Sequence, residues 1–323
     1  MEKLNNILDL KDRFDIFIFD AYGVFWDGSD FYMGSREAMA ELVNNGKIVY
    51  ILSNTTQLSQ DAEKKYEEKG LIKGTHYSEI VTSGDATKEA LINDDIHFIK
   101  NPNGRKVYQF GTPNKKLFEG TDYIMVNTLE EAELIYISVP QFIEEEYDSL
   151  KEKYGKYLFE AKPKEGQPRR WNSIILEPFA EKIKILLQSK LPVLNANPDY
   201  VALEGVKDSD KKIFMIRQGA IAEALRNLGS EVIEYGKPDK EIFDFAFHVL
   251  SQNDISTKNK SRICMIGDTL RTDIKGANNA GIVSVLCVET GVIADEIKKG
   301  NKLEDLIIKA DVTVDYTIKT IGK

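Results

Sequence analysis

The chain has 323 residues, of which 42% are hydrophobic and 29% charged, with a net charge of −9; that is enough material to bury two α/β cores. Its charges are interspersed, and the absence of a basic stripe argues against nucleic acid as a partner. No apolar stretch approaches the roughly 20 residues needed to cross a bilayer, and the residues from Met1 to Asn6 begin no apolar run of signal-peptide length, so a cytoplasmic protein without a membrane partner is expected. Cys264 and Cys287 each sit inside an apolar run and read as buried, reduced thiols. His76, His97 and His248 lack the spacing of a zinc site.

Short apolar runs alternate with longer amphipathic segments, the pattern of βα units around a mostly parallel sheet. The spacing predicts a buried strand at 16–19, a helix over 35–45 ended by Gly46, and a second strand at 48–52. A helix over 58–69 and a strand at 80–82 follow, with Ser83 or Asp85 capping a helix that begins near Ala86. New material comes next: strands at 106–110, 123–126, 134–139 and 193–195, a charged helix over 143–156, and a loop over 160–172. A helix over 216–228 and a strand at 232–235 lead back to the first rhythm, with strands at 263–266, 282–288 and 312–314. The expected organisation is a core built from 1–84 and 234–323 and an inserted α/β domain over 85–233.

Four polar clusters stand at the ends of predicted core strands, where open parallel sheets bind ligands. They are Asp20-Ala21-Tyr22-Gly23, Ser53-Asn54-Thr55, Gly236-Lys237-Pro238, and Gly267-Asp268-Thr269 with Asp273 five residues past Asp268. Each alone is an ordinary turn or cap; their common placement points to one site. Asp20 supplies a carboxylate nucleophile that would form an acyl phosphate. Asp20, Asp268 and Asp273 would repel one another without a hard cation, and Mg2+ suits such an oxygen-rich site. Lys237 balances charge, and Ser53 with the backbone amides near Asn54 can donate to phosphoryl oxygens. Phosphoryl transfer needs mainly positioning and charge neutralisation.

In this order the clusters resemble the four motifs of the haloacid dehalogenase (HAD) superfamily. The insert resembles the C2 cap of its class IIA, the NagD-like and nitrophenylphosphatase-like branch, as do Thr82-Ser83-Gly84-Asp85-Ala86 and Asn197-Pro198-Asp199. The resemblance implies a Rossmann-like α/β core with a C2-type cap and a magnesium-dependent phosphohydrolase acting on a small phosphorylated metabolite. It makes Asp20 the nucleophile, Ser53 the phosphate-binding hydroxyl and Lys237 the stabilising cation. Asp268 and Asp273 become magnesium-site acids, joined by Asp20 and the backbone carbonyl of Tyr22. Asn54, Thr55, Asn197 and Asp199 are the expected substrate contacts, with Asp85, Arg169, Arg170 and Trp171 as weaker candidates. Caps of this class often mediate dimers, which leaves a homodimer open.

One position departs from the pattern. Phosphatases of this family usually carry a second Asp two residues after the nucleophile, and here Tyr22 stands there. An unperturbed tyrosine, with its pKa near 10, is a poor base at neutral pH. Alkyl phosphates should then turn over slowly unless Asp199 or Glu204 substitutes, and esters with good leaving groups should suffer least. Two alternatives follow from the same residue. Asp-Ala-Tyr-Gly also resembles the first motif of 2-haloacid dehalogenases, although these dispense with the metal that Asp268 and Asp273 imply. The other alternative is a phosphate or nucleotide binder with weak catalysis.

Overall fold

Continuous apolar runs become the strands of a seven-stranded sheet in the computed structural model, which describes residues 1–93, 96, 105–163, 166–208, 211–253 and 255–322; His97 lies outside these. The chain divides into two compact units, Met1–Ala86 with Gly236–Lys323, and Thr87–Tyr235.

In the first unit the strand order is Glu2–Lys3, Tyr316–Ile318, Val283–Cys287, Ile263–Gly267, Ile16–Phe19, Ile48–Ser53 and Glu79–Thr82. All neighbours run parallel. Side chains alternate across a strand, so Phe17 and Phe19 enter one apolar cluster while Ile16 and Ile18 enter another. Cys264 and Ile266 divide from Ile263 and Met265 in the same way. Both faces are covered, which is why these strands read as unbroken apolar runs. The chain leaves Ile16–Phe19 toward Ile48–Ser53 on one side and pairs it with Ile263–Gly267 on the other, creating a switch point at the strands' carboxyl ends.

The second unit holds a parallel sheet of order Val232–Glu234, Val193–Asn195, Leu134–Ile137, Lys106–Phe110 and Ile124–Val126. It adds two antiparallel pairs, Val201–Gly205 with Lys212–Ile216 and Leu158–Glu160 with Trp171–Ser173. Among the described residues no helix is long and apolar enough to cross a membrane.

Three elements differ from the sequence reading. The strand expected at 312–314 is Tyr316–Ile318. The backbone of Thr313 instead bonds to side chains, its N–H to Asn278 Oδ1 at 2.7 Å and its carbonyl to the Ser284 hydroxyl at 3.0 Å, while Val314 packs inward. Ile216 finishes a strand, and the helix begins at Gln218. The stretch 160–172 is flanked by a short antiparallel pair and anchored by buried Trp171, stacked on Tyr147 with ring centroids 4.5 Å apart.

Candidate active site

Two neighbouring strand ends deliver the acids. Asp20 follows Ile16–Phe19, its N–H bonded to Ile266 O at 2.9 Å. Asp268 follows Ile263–Gly267, and one wide turn, Leu270–Ile274, returns Asp273 to the same edge. One oxygen of each carboxylate lies within 4.8 Å of the other two. Asp268 and Asp273 are fully buried and Asp20 nearly so.

Lys237 sits among them at 1% exposure. Its Nζ lies 2.5 Å from Asp20 Oδ1 and 2.8 Å from Asp273 Oδ1, and donates to the Leu52 carbonyl at 2.8 Å. An ammonium taken so far from water costs several kcal/mol unless such acceptors surround it. Three carboxylates against one ammonium still leave two negative charges unbalanced in a buried space. Asp273 Oδ2 meanwhile accepts the N–H groups of Asp268 and Thr269, both at 3.1 Å, which fixes that side chain's direction.

The second and third clusters lock together. Asn54 Oδ1 accepts the Lys237 N–H at 2.8 Å, and Asn54 Nδ2 donates to the Lys237 carbonyl at 3.1 Å. Asn54 therefore holds the Lys237 backbone with both ends of its amide, a positioning contact that the sequence reading did not foresee. Ser53 Oγ accepts the Thr55 N–H at 3.3 Å, and its own proton can be donated elsewhere.

Two glycines outside that logic complete the site. Gly23 has φ +84°, and a Cβ there would lie 2.4 Å from Asp268 Oδ2. Gly291 has φ +67°, and its Cβ would lie 1.9 Å from the same oxygen. The Val292 N–H, in the first turn of helix Gly291–Lys298, donates to Asp268 Oδ2 at 2.5 Å. Gly291 and Val292 were missed from the sequence, although Glu289-Thr290-Gly291 shows the same signal as the other clusters, a polar turn directly after an apolar strand.

Cys287 lies close enough to feel the charges of all three acids. Burial first, and those charges second, push its thiol well up. It is a protonated core residue, and Cys264 is likewise free and buried, as the sequence reading expected.

The remaining candidates have other work. Asp85 accepts the Ser59 N–H at 3.0 Å and the Thr82 hydroxyl at 2.9 Å, tying two helix starts of the first unit together. In the second unit, the Asp199 N–H donates to Asn197 Oδ1 at 2.9 Å, and Asn195 Nδ2 donates to the Asn197 carbonyl at 3.0 Å, so the Asn-Pro-Asp turn organises itself. Glu204 pairs with buried Arg217, which weakens it as a stand-in acid. Arg169 pairs with Glu144 and Glu160, both at 2.7 Å, and lies over the Trp171 ring.

Comparison with known proteins gives a consistent picture. Residues 17–119 match the family model described as haloacid dehalogenase-like hydrolase, and residues 234–315 match a second, HAD-hydrolase-like model. Phosphoglycolate phosphatase 2 of Arabidopsis thaliana is 27% identical over 308 residues, covering 93% of this chain and 91% of its own. The 4-nitrophenylphosphatase of Schizosaccharomyces pombe is 24% identical over 326 residues, 97% of this chain and 93% of its own. A solved haloacid dehalogenase-like hydrolase from Brucella suis superposes with a TM-score of 0.72 at 21% identity, covering 98% of this chain and 99% of that one.

Proposed function

Since the chain belongs to the haloacid dehalogenase-like hydrolases and has the inserted α/β unit of their class IIA, we propose that it is a magnesium-dependent phosphohydrolase of small phosphate esters. The observation that carries this reading is the buried trio Asp20, Asp268 and Asp273 around Lys237 at the sheet's switch point. The named relatives are phosphatases, which supports the same reaction class.

The donor set fits magnesium. It consists wholly of oxygens, three of them from carboxylates, which suit a hard divalent cation, and a double positive charge would cancel the two negative charges that Lys237 leaves over. Asp20, Asp268, Asp273 and the Tyr22 carbonyl would hold the ion, which when bound supplies charge neutralisation to the phosphoryl oxygens.

The protein's own groups perform the rest. A carboxylate oxygen of Asp20 attacks phosphorus and forms a new P–O bond. The ester P–O bond breaks, and its electron pair leaves with the alcohol oxygen. Lys237 remains against Asp20 throughout, holding the nucleophile in line and balancing charge. The Ser53 hydroxyl, its lone pair engaged by Thr55, donates to a phosphoryl oxygen. Water then cleaves the aspartyl phosphate and regenerates Asp20. Asn197 and Asp199 remain proposed contacts to the leaving group. With Tyr22 in place of a carboxylic acid, esters with good leaving groups are the favoured substrates, because general acid–base help worth about 10² to 10⁴ in rate is missing from that position.

Phosphate release from aryl, acyl and alkyl phosphates, measured with magnesium and again with excess chelator, tests the proposal. Release that needs magnesium and falls from aryl and acyl to alkyl esters is expected. Undiminished release in chelator would overturn the role given to the three acids, and tight ester binding without any release would favour a binding protein.

A further inference from the structure

Lys65 lies on the helix Ser59–Glu67 of the first unit, and its ammonium is held by aromatic rings. Nζ is 4.7 Å from the ring centre of Trp26, 5.5 Å from that of Tyr22 and 5.9 Å from that of Tyr66. It donates one long hydrogen bond, 3.4 Å, to the Tyr22 hydroxyl. Trp26 and Tyr66 are buried and Lys65 is half-buried. Among the described residues no carboxylate pairs with it, whereas Lys73, on the loop after the same helix, meets both Glu63 and Glu79. Cation–π contacts and a neutral hydroxyl hold an ammonium in place without cancelling its charge.

Through Tyr22 this charge is linked to the chain segment that carries the nucleophile. Tyr22 is two residues past Asp20, and the buried Tyr66 phenol, raised chiefly by desolvation, also feels the charges of Tyr22 and Asp20. The acids, Lys237 and a bound divalent cation already sum to zero. Lys65 is a further, partly desolvated positive charge outside that set, held by rings and, among the described residues, by no carboxylate. We infer that Lys65 is a specificity residue for a second anionic group on the substrate, a carboxylate or another phosphate on the leaving-group side. The inference rests on the phosphohydrolase reading and narrows its substrate class to phosphate esters bearing a further negative charge. The three rings restrict the ammonium's motion, so less freedom is lost when the anion binds.

Three esters separate the possibilities: ethyl phosphate, with no second anion; carboxymethyl phosphate, with a carboxylate; and ethylene bisphosphate, with a second phosphate. Both KM in the presence of magnesium and calorimetric affinity would be measured for the parent chain, Lys65→Met and Lys65→Arg. The parent should favour one or both anionic esters, and the ester favoured identifies the second anion. Lys65→Met should raise KM and Kd for the favoured ester at least about tenfold more than for ethyl phosphate, a charge-assisted contact having that order of effect. Lys65→Arg should retain most of the preference. Equal losses on all three esters, or an unchanged preference in Lys65→Met, would overturn the inference while leaving the phosphohydrolase intact. A preference in binding that Lys65→Met abolishes, with no phosphate released by the parent chain, would overturn the hydrolase reading instead.

Discussion

Replacing Asp20 by Asn should reduce magnesium-dependent phosphate release by about three orders of magnitude or more, the scale on which loss of a covalent nucleophile acts, while the protein stays folded. The reason is chemical. An amide of the same shape fills the space after Phe19 and can still accept from Lys237, yet it has no anionic oxygen to attack phosphorus. Lys237 keeps its ion pair with Asp273 and its bond to the Leu52 carbonyl, so its buried charge is not abandoned. The check is phosphate release from an aryl phosphate alongside a thermal melt. Retention of more than about a tenth of the parent rate by a folded variant would mean that the attacking group lies elsewhere.

Lys237→Met should have a different signature, in which activity and stability fall together. The methionine fills the buried channel but leaves Asp20 and Asp273 facing each other without the ammonium that lay 2.5 and 2.8 Å from them. Removing one partner of a buried ion pair typically costs about 3 to 5 kcal/mol, which for a domain of this size corresponds to a Tm lower by on the order of 10 °C. Added magnesium should recover part of that loss, because an ion that binds only the folded state stabilises it by mass action. Melting curves with and without magnesium measure both effects. A variant that melts within about 2 °C of the parent would show that the ammonium does not balance the acids.

Much of this site was legible in the sequence because parallel sheets place polar residues at one edge whenever an apolar run stops. Asp20, Ser53 and Asp268 each end or directly follow such a run of the seven-stranded sheet, as that rule requires; Lys237 does not, because Val232–Glu234, the strand expected to precede it in the core, pairs instead in the second unit's sheet. Asp273 was reachable because five residues make one wide turn. What stayed hidden was long-range partnership. Nothing local in Asn54 says that its amide will clamp Lys237, 183 residues away. Gly291 and Val292 lie 23 and 24 residues from the carboxylate they pack against. Asp85, expected as a weak substrate contact, is spent on the amides and hydroxyl of its own unit. In the fold, strands longer than three residues and buried on both faces were readable. The short pairs around 158–173 and 201–216 were not: Leu158–Glu160 and Trp171–Ser173 have three residues each, too few to show a period, and the five-residue Val201–Gly205 and Lys212–Ile216 do not alternate apolar with polar side chains. The same limit explains 312–314, where apolar alternation serves packing and the ladder begins two residues later.

The central claim is a covalent phosphoryl group on Asp20, and the most direct measurement is the mass of that residue's peptide after acid quenching during turnover of an aryl phosphate with magnesium. A peptide heavier by one phosphoryl group, with the added mass on Asp20 and absent from the Asp20→Asn variant, is the predicted result. Steady phosphate release with Asp20 unmodified at every quench time, or a phosphoryl group carried on a different side chain, would contradict it.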